Sequence, residues 1–249
     1  MTNSTTPLLP EIAEIWQQTL NWQPTTQQQA KFQQLYELIL EGNTQLNLTR
    51  ITEPQEFWEK HLWDSLRGIV LEKQFIPSLP EGASVIDIGT GAGFPGIPVG
   101  IIAPNSTVTL LDSTRKKITF IDKVLATLGL SNCKTLLGRT EEIGQQTQHR
   151  QTYDLALIRA VGTASVCAEY SLPLLKQGGL AVIYRGTWTE EETIALQNAV
   201  KLLGGEIESI AQFTTPLTDS IRHCLYLRKV ATTPPEFPRA VGIPHQKPL

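Results

Sequence analysis

Cysteine is scarce and scattered in this chain of 249 residues: the three thiols, Cys133, Cys167 and Cys224, include no Cys-x-x-Cys pair. An odd, widely spaced set excludes a disulfide framework and a zinc cluster, so reduced core thiols and no metal are expected. Charge is also thin. Lys, Arg, Asp and Glu make up 18% of the residues, against about 25% in typical soluble chains, while glycine and proline are near average. Disordered, collagen-like and coiled-coil proteins are thereby excluded. Residues 1–10 lack the basic start and unbroken apolar stretch of a secretion signal, and a cytoplasmic location is expected. One stretch, residues 88–111, carries no charge for 24 residues, long enough to raise the question of a membrane span. Gly89, Gly91, Gly93, Pro95, Pro98 and Pro104 break it into strand, loop and helix, so no membrane partner is expected.

What is present is an ordered alternation of elements. Leu8, Leu9, Ile12, Ile15 and Trp16 share one helical face, and Phe32, Leu35, Tyr36, Leu38 and Ile39 another, with Gly42 as a stop. A third helix is expected from near Pro54 to Leu71. From Ser84 onward, short apolar runs at 85–88, 108–111, 135–137, 155–158 and 180–184 alternate with helical patterns at 97–103, 116–128, 165–175 and 190–203. Strands and helices in this order give crossover units and a mostly parallel sheet covered on both faces. Two further β-like runs, 207–213 and 224–227, have no helix between them and read as an antiparallel hairpin at the sheet edge. The expected architecture is α/β. It has an N-terminal helical extension (1–75), a Rossmann-like doubly wound core (76–230) with its last strand antiparallel, as in class I S-adenosylmethionine-dependent methyltransferases, and an extended Pro-rich tail (231–249).

The sharpest signal is the strand-to-turn run from Val85 to Gly96. A buried strand enters a glycine turn that opens a helix, with Pro95 and Pro98 in the first turn, where proline is tolerated. A dinucleotide fingerprint requires Gly-x-Gly-x-x-Gly, but Phe94 stands where the third glycine belongs. Gly89, Gly91 and Gly93 instead follow an acid, Asp87, in the spacing Gly-x-Gly-x-Gly. That pattern suits S-adenosylmethionine better than a nicotinamide cofactor, because the carboxylate of Asp87 can serve the amino-acid ammonium that a pyrophosphate lacks. Asp112 closes the second strand where such folds place the acceptor of ribose hydroxyls, and Ser113 and Thr114 follow it. Taken alone, Asp112 has a helix N-cap before Lys116 as its alternative role; beside the glycine loop, the ligand role prevails. Thr140 and Glu141, after the third strand, occupy the place of an adenine partner, and Arg159, ending the fourth, points to the ligand crevice.

Other motifs are missing at that fourth strand. There is no Asn/Asp-Pro-Pro-Tyr for an exocyclic amine, and no cysteine beside a proline for attack on a pyrimidine carbon, since Cys167 lies on the following helix. A Tyr-x-x-x-Lys pair, as in nicotinamide-dependent reductases, is absent too.

These residues resemble the small-subunit rRNA guanine-N7 methyltransferases known as RsmG or GidB. The matching pieces are Leu46-Asn47-Leu48-Thr49 with Ile51, His61 with Asp64-Ser65-Leu66, and the loop from Asp87 to Pro98. Leu110-Leu111-Asp112-Ser113 with Arg115-Lys116-Lys117, Gly138 to Glu141, Arg159-Ala160, Pro173 to Gly179, Pro238-Arg239 and Gly242-Ile243-Pro244 extend the match. The resemblance implies methylation of N7 of a 16S rRNA guanine, position 527 in the usual count, with S-adenosylmethionine as cofactor. Gly89, Phe94, Asp112, Ser113, Thr114, Thr140, Glu141 and Arg159 are its implied cofactor contacts. Guanine N7 carries a free lone pair, so no base or nucleophile is assigned; catalysis would be orientation of N7 toward the methyl group. Arg139, Arg159, Arg185, Arg239 and His61 are the candidates for positioning the guanine or its phosphates.

The formal charge of −3 is unevenly spread: residues 222–249 carry +4, and residues 1–49 carry −3. A local basic face can therefore meet RNA. The expected partner is 16S rRNA or a small-subunit particle, with no obligatory protein partner. A methyltransferase of the same fold acting on a small molecule or protein is the alternative reading.

Overall fold

The computed structural model describes residues 7–71, 74–75 and 81–249. Helices α1 (Ala13–Leu20) and α2 (Thr26–Leu46) come first. Thr25 caps α2 reciprocally with Gln28, satisfying two backbone donors at once. The next helix runs without interruption through α3 (Pro54–Phe57), a π-helical stretch at Trp58–Trp63, and α4 (Asp64–Arg67). It stops four residues short of the Leu71 expected from sequence, because residues 68–69 turn and Val70–Leu71 form strand β1, paired antiparallel with β2 (Gln74–Phe75). The expected division at residues 75–76 abuts Ile76–Pro80, which lie outside the described residues, as does the start of the N-terminal stretch, residues 1–6.

The remaining elements alternate as the sequence pattern requires. They are β3 (Ser84–Ile88), α5 (Gly96–Ile102), β4 (Thr107–Asp112), α6 (Arg115–Leu128), β5 (Cys133–Leu137), α7 (Thr140–Ile143), β6 (Tyr153–Arg159) and α8 (Ala164–Ser171). Then follow β7 (Leu175–Arg185), α9 (Glu190–Leu202), β8 (Gly205–Thr214), β9 (Ile221–Lys229) and α10 (Ile243–Gln246). Seven strands form one sheet in the order β5-β4-β3-β6-β7-β9-β8. The first five pair in parallel, whereas β9 is antiparallel to both β7 and β8. The last strand thus inserts inside its own hairpin, leaving β8 at the edge. This is the class I methyltransferase order expected from the sequence.

Alternation along the strands divides the core. Val85, Leu155, Leu157, Val182 and Tyr226 face one side, where Trp16, Tyr36, Phe57 and Trp63 from the N-terminal helices join the same apolar cluster. Ile86, Ile88, Ala156, Ile158, Ile183 and Leu225 face the other, against α8 and α9. Burial of an aromatic side chain contributes roughly 2–3 kcal/mol, so these rings bind the N-terminal helices to the sheet firmly. Polar ties add direction: the Tyr184 hydroxyl donates to the Ser65 carbonyl at 2.7 Å and the Tyr226 hydroxyl to that of Gly68 at 3.0 Å.

The tail departs from its expected extended form at one place. Gly242 at φ +83° opens α10, a single helical turn in which Pro244 occupies the first positions, where its missing N–H costs nothing.

Candidate functional site

The loop between β3 and α5 is shaped by its glycines. Gly89, Gly91 and Gly93 have φ of +68°, +60° and +100°, a region closed to most side chains. Gly96 serves a different end: a Cβ there would lie 2.3 Å from Leu110 Cδ2 and 2.7 Å from Asp87 Oδ2, so its absence lets α5 sit on the sheet. Asp87, fully buried, holds the turn together. Its Oδ2 accepts from the Thr90 hydroxyl at 2.6 Å and from Gly96 N–H at 2.8 Å, while Oδ1 has no partner. Burial pushes its carboxyl up to about 6 despite those hydrogen bonds and the nearby Arg159.

A cavity of about 240 Å³ opens beside this loop at the C-terminal ends of β4 and β5. Gly89, Asp112, Ser113, Thr114, Arg139, Thr140 and Glu141, all named from sequence, line it. Asp112 is preset by two backbone donors, Gly91 N–H to Oδ2 at 3.1 Å and Thr114 N–H to Oδ1 at 2.8 Å, with Lys117 Nζ at 3.8 Å. Glu141 Oε1 accepts from Arg139 Nη2 at 3.0 Å, the Tyr170 hydroxyl at 2.8 Å and Gly242 N–H at 3.0 Å; its Oε2 is buried without a partner. Those hydrogen bonds outweigh the desolvation of Glu141 and hold its carboxyl below the usual range.

Asp87, Gly91, Gly93, Phe94 and Arg159 are not among the cavity's lining residues. Phe94 and Arg159 belong to a second cluster, on the π-helical stretch. His61 stacks on Phe94, and its Nε2 lies 2.9 Å from the Thr49 hydroxyl. Arg159 donates to the Lys60 carbonyl at 2.9 Å and to Asp64 Oδ2 at 3.1 Å, and lies 3.4 Å from His61 Nδ1. Thr49 is itself fixed by Asn43, whose amide brackets its backbone. The Asn-Leu-Thr and His-x-x-Asp-Ser pieces of the sequence are therefore one network. Ala160, at φ +57°, turns the chain after Arg159 and brings Val161 against Gly89, where a Cβ would meet Val161 Cγ2 at 2.7 Å.

Arg185 and Arg239 lie elsewhere. Arg185 donates to the Gly162 carbonyl at 2.9 Å and contacts Glu192 at 3.4 Å; Arg239 forks onto the buried Glu169, its Nη2 at 2.6 Å. Sequence reasoning missed Lys117, Val161, Tyr170 and His245 as lining residues. Lys117 stood in the Arg-Lys-Lys run after Asp112, which was a usable signal. Tyr170 and His245 carried none, because only the fold of the tail brings His245 against Tyr170, with ring centroids 5.8 Å apart.

An α/β sheet with this strand order and a glycine loop beside an acid-lined cavity defines a class I methyltransferase fold. The chain matches the family GidB, rRNA small subunit methyltransferase G, over residues 28–224. It is 78% identical over 244 residues to "Ribosomal RNA small subunit methyltransferase G" of Trichormus variabilis, covering 98% of this chain and 100% of that protein. The protein of the same name from Nostoc sp. is 77% identical over 244 residues, with the same coverage of 98% and 100%. Among solved structures, M. jannaschii TYW2 in complex with AdoMet superposes with a TM-score of 0.54 at 12% identity, covering 74% of this chain and 81% of that one; this likeness is one of fold. The chain belongs to the GidB family of small-subunit rRNA methyltransferases.

Proposed function

We propose that the protein transfers a methyl group from S-adenosylmethionine to N7 of a guanine in 16S rRNA. The observation that carries this reading is the family match over residues 28–224, which takes in the glycine loop and every cavity-lining residue but His245.

The residues present fit the cofactor. The positive-φ glycines leave backbone open beside the cavity, and two buried carboxylate oxygens, Asp87 Oδ1 and Glu141 Oε2, have no partner of their own. Asp112 would accept from ribose hydroxyls, Thr140 and Glu141 would meet the adenine, and Asp87 would face the ammonium. When bound, the cofactor supplies an electrophilic methyl on a sulfonium.

The chain's own groups suit a reaction needing no proton removed from the attacking atom. Burial, Arg159 and Lys60 together hold the His61 imidazole down to about 3, so it stands neutral at pH 7. Its Nδ1 faces the Arg159 guanidinium, which leaves Nε2 as the N–H toward Thr49. Burial pushes the Cys167 thiol up to about 12, which keeps it protonated and inert as a nucleophile. What remains for the protein is to orient guanine N7 toward the methyl, an effect that can lower a barrier by several kcal/mol. Arg139, at the cavity, is the candidate closest to that task.

Among the described residues no helix is long and apolar enough to cross a membrane. That fits work on rRNA in the cytoplasm. The test is transfer of a labelled methyl to small-subunit particles and to extracted rRNA, followed by nucleoside identification. Label in 7-methylguanosine supports the reading; cofactor binding with no labelled nucleoside would refute rRNA as substrate and favour a small molecule or protein.

A further inference from the structure

The arginines singled out in the sequence are already neutralised. Arg139 pairs with Glu141, Arg159 with Asp64, Arg185 with Glu192 and Arg239 with Glu169. Part of the basic C-terminal stretch is spent in the same way: Arg228 pairs with Glu208, and Lys229 is buried on the Leu203 carbonyl. A phosphate backbone sheds its counterions to cations that no carboxylate already holds.

Such cations lie on α6. Arg115, Lys116 and Lys123 are exposed, and among the described residues none of them has an ion-pair partner. All three line one groove of about 800 Å³ between α2 and α6, floored by Leu38 and Phe120, with Glu41 its one acidic member. The two helices approach closely there because Gly42 has no side chain; a Cβ would lie 2.2 Å from Phe120 Cε2. Lys116 and Lys123 are seven residues apart, two helical turns, so they share a face, and from Arg115 to Lys123 the cations span about 12 Å of helix. Arg115 follows directly on Ser113 and Thr114, which line the cofactor cavity. The α6 side of the groove therefore begins, along the chain, at the residue after the cavity-lining Asp112–Thr114 segment.

We propose that the groove between α2 and α6 seats the sugar–phosphate backbone of the substrate rRNA next to the target guanine, with Arg115, Lys116 and Lys123 on its phosphates. The inference rests on the rRNA reading above. The Arg-Lys run after Asp112 acquires a purpose that cofactor binding does not give it, and the apolar floor suits sugar and base faces.

The test is the triple variant Arg115→Gln, Lys116→Gln, Lys123→Gln in the full chain, with Lys117 left intact because it lines the cavity. Affinity for S-adenosylmethionine and the thermal midpoint should stay at wild-type values. The dissociation constant for a 16S rRNA transcript near 0.1 M salt should rise at least tenfold, and the slope of log K against log salt should fall by about two to three. The KM for rRNA should rise with kcat little changed. A control triple with the same charge loss elsewhere, Lys31→Gln, Lys134→Gln, Lys201→Gln, should leave the slope within about one of wild type. A test triple that keeps the wild-type rRNA affinity and slope, or a control that loses as much, overturns the groove while leaving rRNA methylation standing. Wild-type protein that neither binds nor methylates rRNA overturns both.

Discussion

His61 lies face to face with Phe94, ring centroids 4.4 Å apart and planes 10° apart. A residue of the N-terminal π-helical stretch thereby props the residue that ends the glycine loop, and the Arg159 guanidinium sits 5.9 Å from the same phenyl ring. The N-terminal helices are coupled to the glycine loop through this stack.

The stack requires a neutral imidazole. His61 is held at about 3, below its ordinary 6.5, by burial first and then by Arg159 and Lys60. For a base whose folded value is depressed, the unfolded chain binds the proton first, so stability is full above pH 6.5 and is lost as pH falls toward 3. Its ring resonances should not move between pH 8 and 5. On going from pH 7 to 4.5, His61→Gln should lose about 2 kcal/mol less than wild type in urea unfolding; equal losses would remove the assignment.

Asp87 works in the opposite sense. Its folded value of about 6 exceeds the ordinary 3.8, so the fold keeps a proton that the unfolded chain releases. Its contribution to stability therefore falls as pH rises from 3.8 to 6, reaching a cost of about 3 kcal/mol above that window. An ammonium placed beside Oδ1 would offset this cost, so cofactor affinity should rise as pH passes about 6. Calorimetric titrations from pH 5 to 8 should show the rise in wild type and lose it in Asp87→Asn. Parallel pH profiles in the two proteins would detach Asp87 from the ammonium.

Asp112 ties two backbone donors to the cavity wall. Asp112→Ala should raise the cofactor dissociation constant at least tenfold and lower stability by about 1–3 kcal/mol, as the N–H groups of Gly91 and Thr114 lose their acceptor. Asp112→Asn, which keeps one acceptor oxygen, should recover part of both. Unchanged affinity in the alanine variant would remove the ribose role.

Two glycines make a paired test of close packing. Gly96→Ala should cost about 1–3 kcal/mol, because the new methyl meets Leu110 and the Asp87 carboxylate. Gly186→Ala should be nearly neutral, since nothing lies within 4 Å of its added methyl. Urea midpoints of the two variants compare them directly.

The strands and the glycine loop were legible because their causes are local. Strands such as Leu155 to Ile158, buried on both faces, read as unbroken apolar runs, and positive φ at Gly89, Gly91 and Gly93 writes glycine into the sequence. The cavity floor at Asp112 to Thr114 and at Thr140 to Glu141 was legible from its place after each strand. The state of the arginines was not, because Asp64 and Glu169, which neutralise Arg159 and Arg239, stand 95 and 70 residues away. Charge counted along a segment misses such partners. The π-helical turn at Trp58–Trp63 gave no sign either, because its apolar spacing reads like that of an α-helix.

The tail crosses the chain's earlier elements at three points: Arg239 on Glu169, Gly242 on Glu141, and His245 against Tyr170. Part of the cavity wall, His245, is therefore translated more than a hundred positions after Asp112, which lines the same cavity from the end of β4. During biosynthesis the sheet and the glycine loop can form while that part is still missing. The pocket becomes whole only once synthesis has run through His245, so a nascent chain shorter than that lacks part of the cavity wall.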